Sequence, residues 1–326
     1  VILIAGSPAN VDTTAWPPMA RDIYERKRRS PYMFNYSSLD HLRFEMLLRA
    51  AIVQAAIDLD KSGADFATFE FARCNDRYWR LTPRGGFQLK EGVRPSDAIR
   101  DIYRNGPMYA FECATAIPII YYKAVLEVLG EEPFNRLFQN LLLYSWNYDS
   151  DLGLIQERVS PERAFPGDVL YFDNPDFHPR APEWQGVNVV MIDDNLFFGH
   201  GVGITTGEDI IRGLNMRRRP FSFRSAYLMD LIVYPDFAYL SRFMPRPSPT
   251  AGADHEAVTG ATASHTSTSA PSATDLTAAG PSSTSAADGT GAGSIISAPW
   301  LTLPQQDEHR GLPRIRARVG RRRYLC

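Results

Sequence analysis

The chain has 326 residues, 35 basic and 37 acidic, giving a formal net charge of −2. That balance excludes a general nucleic-acid binder, which carries a clear basic excess. Three scattered cysteines form neither a disulfide framework nor a zinc spacing, and no apolar run reaches the ~18 residues of a membrane span.

Composition changes along the chain. Residues 1–244 are rich in apolar and aromatic types and can bury one sizeable core. Residues 245–299 are mostly Ser, Thr, Ala, Gly and Pro, without a Phe, Tyr or Trp. Such a stretch cannot offset its ordering entropy, so 245–326 reads as a disordered tail. The tail contains eight arginines and six acids, which leaves −4 for residues 1–244. Seven of those arginines fall in Arg310–Cys326, a basic segment that reads as a solvated end or a contact for an acidic surface. Only four lysines stand against 31 arginines. Either a GC-rich genome or avoidance of lysine by an enzyme acting on lysine gives that bias.

Residues 1–36 hold Pro and charge clusters and read as an arm with at most one strand. The opening Val-Ile-Leu-Ile-Ala-Gly lacks a basic flank and is too short for a signal peptide, so cytoplasmic synthesis is expected. Ser37 or Ser38 caps a helix running to Lys61, with Leu39, Leu42, Met46, Val53 and Ile57 as its stripe and Gly63 as its stop. Phe66–Phe71 reads as a strand. Tyr78–Leu81 and Phe87–Leu89 flank Thr-Pro-Arg-Gly-Gly as a hairpin. Ser96 caps a short helix to Tyr103.

A helix is expected from Cys113 to Leu129, stopped by Gly130 and with Pro118 inside it. A second runs from Pro133 to Leu143. Strands follow at Asp168–Phe172, Asn188–Ile192, Leu196–His200 and Phe223–Val233, with a helix Glu208–Met216 capped by Thr206. Helices first and strands later predict an α+β layout with helices packed on an antiparallel sheet.

The chemistry concentrates in Tyr109-Ala-Phe-Glu-Cys-Ala-Thr-Ala116. Cys113 starts an apolar helix, where the helix N-terminus favours a thiolate. Far downstream, Phe198-Gly-His-Gly-Val-Gly203 supplies His200. A cysteine and a distant histidine are the raw material of thiol acyl transfer. The plain alternatives are a buried structural thiol and a satisfied core histidine. Asp168, Asp193 and Asp194 are candidates to orient His200. Cys74, Cys326, His41 and His178 carry no motif.

These segments resemble the bacterial spore-coat transglutaminase family (protein-glutamine γ-glutamyltransferase of Bacillus-type spore formers). The similarity runs through Lys61-Ser-Gly-Ala-Asp-Phe-Ala-Thr-Phe69, Ala98-Ile-Arg-Asp-Ile102 and Asn105–Ile117. It continues in Ile119-Ile-Tyr-Tyr122, Gly167-Asp-Val-Leu-Tyr-Phe172, Phe198–Ile204 and Ser225-Ala-Tyr-Leu228. The Gly-Asp strand alone is also similar to NlpC/P60-type hydrolases.

The resemblance implies a papain-like/NlpC-P60-like core and a calcium-independent acyltransferase. It implies Cys113 as nucleophile, His200 and Glu112 as its acid–base partners, and Phe66, Trp146 and Trp184 as walls of a substrate tunnel. It also implies protein substrates offering glutamine and lysine side chains, namely coat proteins, and deposition on the spore coat as a monomer. No cofactor, metal, nucleic acid or membrane is implied. One position departs from the family: its Trp-x-Gly-Glu-Asn-Val pattern reads Trp184-Gln-Gly-Val-Asn-Val189 here, so Val187 replaces an acid. The alternatives are a cysteine amidase or peptidase of NlpC/P60 type, and a catalytically silent coat or scaffold protein.

Overall fold

The computed structural model describes residues 1–245, 316–319 and 322–325. Val1–Met244 cluster by contacts within one compact unit. The remainder of the expected disordered tail, with Cys326, lies outside the described residues.

The N-terminal arm is more structured than its composition suggests. Strands β1 (Ile2–Ile4) and β2 (Ser7–Pro8) precede helix α1 (Pro18–Arg29) and strand β3 (Phe34–Tyr36). β1 pairs parallel with β3 and antiparallel with β2. Helix α1 was hidden by its prolines. Pro18 occupies the first helical position, where a missing N–H costs nothing. Ala20, Ile23, Tyr24 and Lys27 then recur at helical spacing and are buried.

Helix α2 (Leu39–Lys61) is capped by Ser38, whose side chain accepts from the His41 backbone N–H. It is buried on more than the one expected stripe. Leu42 and Met46 share a cluster with Ile23 and Tyr24 of α1. Phe44, Leu48, Ile52 and Leu59 join the main core.

Next come β4 (Asp65–Phe66), the hairpin β5 (Trp79–Leu81) and β6 (Phe87–Leu89), α3 (Pro95–Arg104), and β7 (Ala110–Phe111). The hairpin forms as expected, with Trp79 opposite Leu89. The strand expected over Phe66–Phe71 is only β4, followed by a 3-10 turn at Phe69–Phe71. Helix α3 starts at Pro95, so Ser96 lies inside it rather than capping it.

Helix α4 (Cys113–Leu129) begins and ends where the sequence reading puts it, and Pro118 stands in its second turn. α5 (Glu131–Leu137) is shorter than the expected Pro133–Leu143 helix. Its last residues instead form β8 (Leu142–Leu143), because β6 offers an open edge and Leu143 pairs with Phe87. Pairing to a sheet edge satisfies the same backbone groups a further helical turn would.

The main sheet contains β9 (Leu154–Glu157), β10 (Val169–Asp173), β11 (Gly186–Asp193), β12 (Leu196–Gly199) and β13 (Gly203–Thr206). After α6 (Gly207–Asn215) come β14 (Tyr227–Leu228), β15 (Ile232–Pro235) and the short α7 (Phe237–Leu240). Strand order is β13-β12-β11-β10-β15-β9, with β14 beside β10, and every pairing is antiparallel. The strand expected over Phe223–Val233 is split. Leu228 pairs with Phe172 and Val233 with Val169, a slip of two residues that the bend between β14 and β15 absorbs.

β11 is buried on both faces. Val190 and Ile192 join α2 and α4 in the main core. Val187, Val189 and Met191 join Ile210 and Leu214 of α6 in a second cluster. The layout is helices on an antiparallel sheet. A separate antiparallel hairpin, β16 (Arg316–Val319) with β17 (Arg322–Leu325), lies in the C-terminal segment where no strand was expected.

Candidate active site

α4 begins where the chain leaves β7 and meets β11. Glu112 is the N-cap, with an extended backbone, and its Oε2 accepts from the Ala114 N–H at 2.6 Å. A carboxylate there satisfies an otherwise unpaired helix N–H and suits the helix dipole. The same geometry turns its second oxygen to the next side chain. Cys113 Sγ donates to Glu112 Oε1 at 3.2 Å. Sequence neighbours meet here because Glu112 lies outside the helix and Cys113 opens it.

Asn188 of β11 completes the contact. Its Nδ2 donates to Cys113 Sγ at 3.7 Å. Its Oδ1 is buried without a hydrogen-bond partner, an acceptor left open beside the thiol. Tyr171 pairs with Asn188 across the β10–β11 ladder, and its ring is close enough for Cys113 and Glu112 charges to raise its phenol beyond what burial does. The Tyr171 hydroxyl lies 2.3 Å from where a Cβ at position 186 would be, so Gly186 is required there.

Burial sets the proton affinities. It pushes the Glu112 carboxyl up, against hydrogen bonds from Ala114 and the thiol; the charge of Glu183 adds to the rise. It pushes the Cys113 thiol well up, and the Glu112 charge adds. The resting state is therefore a protonated thiol hydrogen-bonded to a carboxyl group. Cys74 is half-buried with its thiol pushed up to about 11 by burial and the charge of Asp76, and it has no such partner arrangement.

His200 follows β12 and is 6 % exposed. Its ring stacks on Phe111 at 4.4 Å, two residues before the thiol, and its Nε2 lies 3.1 Å from the Asp65 carbonyl oxygen. The acids expected to orient it also have arginine partners. Asp193 and Asp194 bind Arg26, and Asp168 binds Arg49. Gly201, at φ +98°, lets this turn close on Phe66, whose Cδ2 is 2.9 Å from the position of an added Cβ.

The aromatic candidates divide. Phe66 and Trp184 pack on the cluster that contains Cys113 and Val187. Phe66 also lies 6.2 Å from the His200 ring. Trp146 belongs to the main core instead, on the loop whose Ser145 N–H donates to Thr115 Oγ1 in the first turn of α4. The Arg217 guanidinium sits 3.6 Å over the Trp184 ring. His41 and His178 accept from backbone N–H groups of Ser37 and Arg180, as structural residues do.

Sequence reasoning missed Asn188, Tyr171 and Glu183. Asn188 and Tyr171 lie inside quoted motifs, but period-two alternation does not reveal which face meets the helix. Glu183 precedes Trp184 in a one-turn 3-10 helix and carried no signal of its own.

A buried thiol at a helix start therefore lies against a carboxyl group and an amide, at the junction of α4 and β11. A family profile described as protein-glutamine gamma-glutamyltransferase matches residues 1–244. A protein of that name from Halalkalibacterium halodurans is 47 % identical over 233 residues, covering 71 % of this chain and 81 % of the relative. One from Bacillus mycoides is 46 % identical over 217 residues, covering 67 % and 78 %. The solved transglutaminase from Geobacillus stearothermophilus, without its C-terminal extension, superposes with a TM-score of 0.62 at 51 % identity. The match covers 64 % of this chain and 100 % of that one. The chain belongs to the protein-glutamine gamma-glutamyltransferase family.

Proposed function

We propose that this chain joins protein glutamine to protein lysine through a Cys113 thioester, with Glu112 as the proton carrier. The contact between Cys113 Sγ and Glu112 Oε1 carries the reading. Free Glu and Cys differ by about four pK units, so proton transfer between them in water is uphill by roughly 6 kcal/mol. The site narrows that gap. One negative charge is buried before and after transfer, so desolvation weighs on both states. The helix N-terminus and the Asn188 amide favour the thiolate.

The thiolate attacks the glutamine carboxamide carbon, and the tetrahedral species expels ammonia as Glu112 returns the proton to the leaving nitrogen. The free Asn188 Oδ1 is available to accept from the carboxamide N–H. The lysine amine then attacks the thioester, passes its proton to Glu112, and displaces the thiolate to leave an isopeptide. His200 borders the site through Phe111. In this reading it stabilises charge there, while Phe66 and Trp184 keep water from the thioester and Trp146 braces the α4 start.

The helix-on-sheet arrangement suits a papain-like core, with the thiol on a helix and the histidine at a strand end. Coat proteins of spores are the proposed substrates, after cytoplasmic synthesis, with the monomer active and calcium not needed. The test is incorporation of a fluorescent primary amine into a glutamine protein in the presence of EGTA. Ammonia release coupled to amine incorporation supports acyl transfer. Equal release without amine points to an NlpC/P60-type amidase, and no release at all to a silent scaffold.

A further inference from the structure

The loop Arg217-Arg-Arg-Pro-Phe-Ser-Phe-Arg224 is built rigidly yet presents its aromatic residues outward. Phe221 and Phe223 are each 94 % exposed, and neighbouring Met216 is 72 % exposed. Isolated apolar surface residues are ordinary, but a group of three large ones on one loop marks a contact surface. Floppiness does not explain the exposure. Buried Asp176 accepts from Arg219 Nη2 at 2.9 Å, from Arg224 Nη2 at 2.9 Å, and from the Arg224 N–H at 3.2 Å. Arg218 Nη1 donates to the Arg224 carbonyl at 2.6 Å, closing the loop on itself. Phe221 is held at φ +61°, a left-handed backbone that a Phe adopts only when its surroundings impose it.

Two further features give the surface a direction and a charge. At one end of the loop, Arg217 covers Trp184, which packs on the cluster containing Cys113. The loop carries four arginines and no acid of its own, with Asp176 and Asp173 acting on Arg224 and Glu183 on Arg217, in a protein whose residues 1–244 total −4. A basic, aromatic loop on an acidic protein complements an acidic partner with apolar side chains.

We propose that residues 216–224 dock the protein that donates glutamine, through an acidic, apolar segment next to the reactive side chain. Phe221 and Phe223 insert into the substrate, and the arginines face its carboxylates. This rests on the acyl-transfer reading above, and the experiment separates the two.

The probe pair is lysine-methylated β-casein, an acidic and apolar protein donor, and a blocked Gln-Gly dipeptide, both with a fluorescent amine. The double variant Phe221→Ser/Phe223→Ser should lower kcat/KM on casein about tenfold, as loss of paired aromatic anchors does. Dipeptide turnover should stay within about twofold. The casein rate, not the dipeptide rate, should fall steeply between low and moderate salt. Equal losses on both donors, or no loss on casein, overturns the proposal. So does a wild-type dimer that the variant dissociates with casein turnover intact, or binding to phosphatidylglycerol vesicles that the variant loses while casein turnover is kept. If the wild type turns over neither donor, the acyl-transfer reading fails instead. Casein binding by fluorescence anisotropy, weakened in the double variant, then still decides the docking surface.

Discussion

Two groups of buried ionisable side chains invite comparison. In the first, Lys27 Nζ reaches Glu45 Oε1 at 2.6 Å, Arg49 Nε reaches the same oxygen at 2.7 Å, and Arg49 Nη1 reaches Asp168 Oδ1 at 2.7 Å. Two cations meet two carboxylates, and the Phe165 N–H satisfies Asp168 further at 2.8 Å. In the second, Glu112 and Cys113 have an amide for company and no cation in hydrogen-bond contact. Burial acts upward on Glu45 and Glu112 alike. At Glu45 it is outweighed by Lys27 and Arg49, which hold the carboxyl at about 2. At Glu112 nothing outweighs it, and the carboxyl rises. Balanced buried charge locks α1, α2 and β10 together. Unbalanced buried charge leaves Glu112 with a raised proton affinity beside a thiol.

The largest expected effect lies in the second group. Cys113→Ala should abolish amine incorporation, by at least about a thousandfold, with thermal stability retained. Cys74→Ala should keep activity within about twofold. Retained turnover in the Cys113 variant would remove the thiol mechanism.

Glu112→Gln should cost about 10²- to 10⁴-fold in rate, the range for a lost proton carrier. It should also raise stability near neutral pH. A carboxyl whose folded pKa is raised supports folding below its unfolded pKa and loses that support as pH rises through the folded value. The amide keeps the cap on Ala114 and avoids the buried charge. The stability gain should disappear in acid, where Glu112 is protonated anyway. A denaturation series across pH checks the sign.

In the first group Glu45 should respond in the opposite way, although burial raises its neighbour Asp168 despite Arg49. Glu45 is depressed from 4.5 to about 2, so its support is complete above 4.5 and lost as pH falls toward 2. That acid loss is on the order of 3 kcal/mol. Arg49→Met leaves two carboxylates short of a cation and should destabilise by about 3–5 kcal/mol, with activity per folded molecule preserved. A fall in specific activity without a fall in stability would break the contrast between the groups.

The sequence reveals these groups unequally. Helix α4 was legible because an apolar run opening at Cys113 and a stop at Gly130 agree on its bounds, and the Glu112–Cys113 contact depends only on where that helix starts. The β5–β6 hairpin was legible for the same local reason. The ion cluster was not. Its members run from Lys27 to Asp168, and the directly paired Arg49 and Asp168 stand 119 residues apart, with nothing local to pair them. Asp168 looked like an orienting acid for His200 only because it stands in a strand motif. α1 was lost behind Pro17 and Pro18, although Pro18 is itself a start signal. α5 was drawn too long because an apolar run fits helix and strand equally until a partner edge decides.

The smallest expected effect concerns Val187, the position at which the resemblance implies an acid. Val187 is 5 % exposed, in the cluster that also contains Cys113, Val189 and Phe172. Its Cγ2 lies 3.1 Å from where a Cβ on Gly199 would be, so the side chain is closely packed. A carboxyl put there meets apolar neighbours, and burying it without a partner costs at least the ~1–3 kcal/mol of a neutral polar group, and more if it is ionised. The thiol already has Glu112 within hydrogen-bond distance, and a second acid adds no proton acceptor that the reaction lacks. Val187→Glu should therefore lower stability and change kcat by less than about threefold, while any added charge pushes Glu112 higher and moves the acid limb of the pH–rate profile upward. A gain of tenfold or more would show that Glu112 alone is a deficient partner and that the two-acid arrangement is what the chemistry requires.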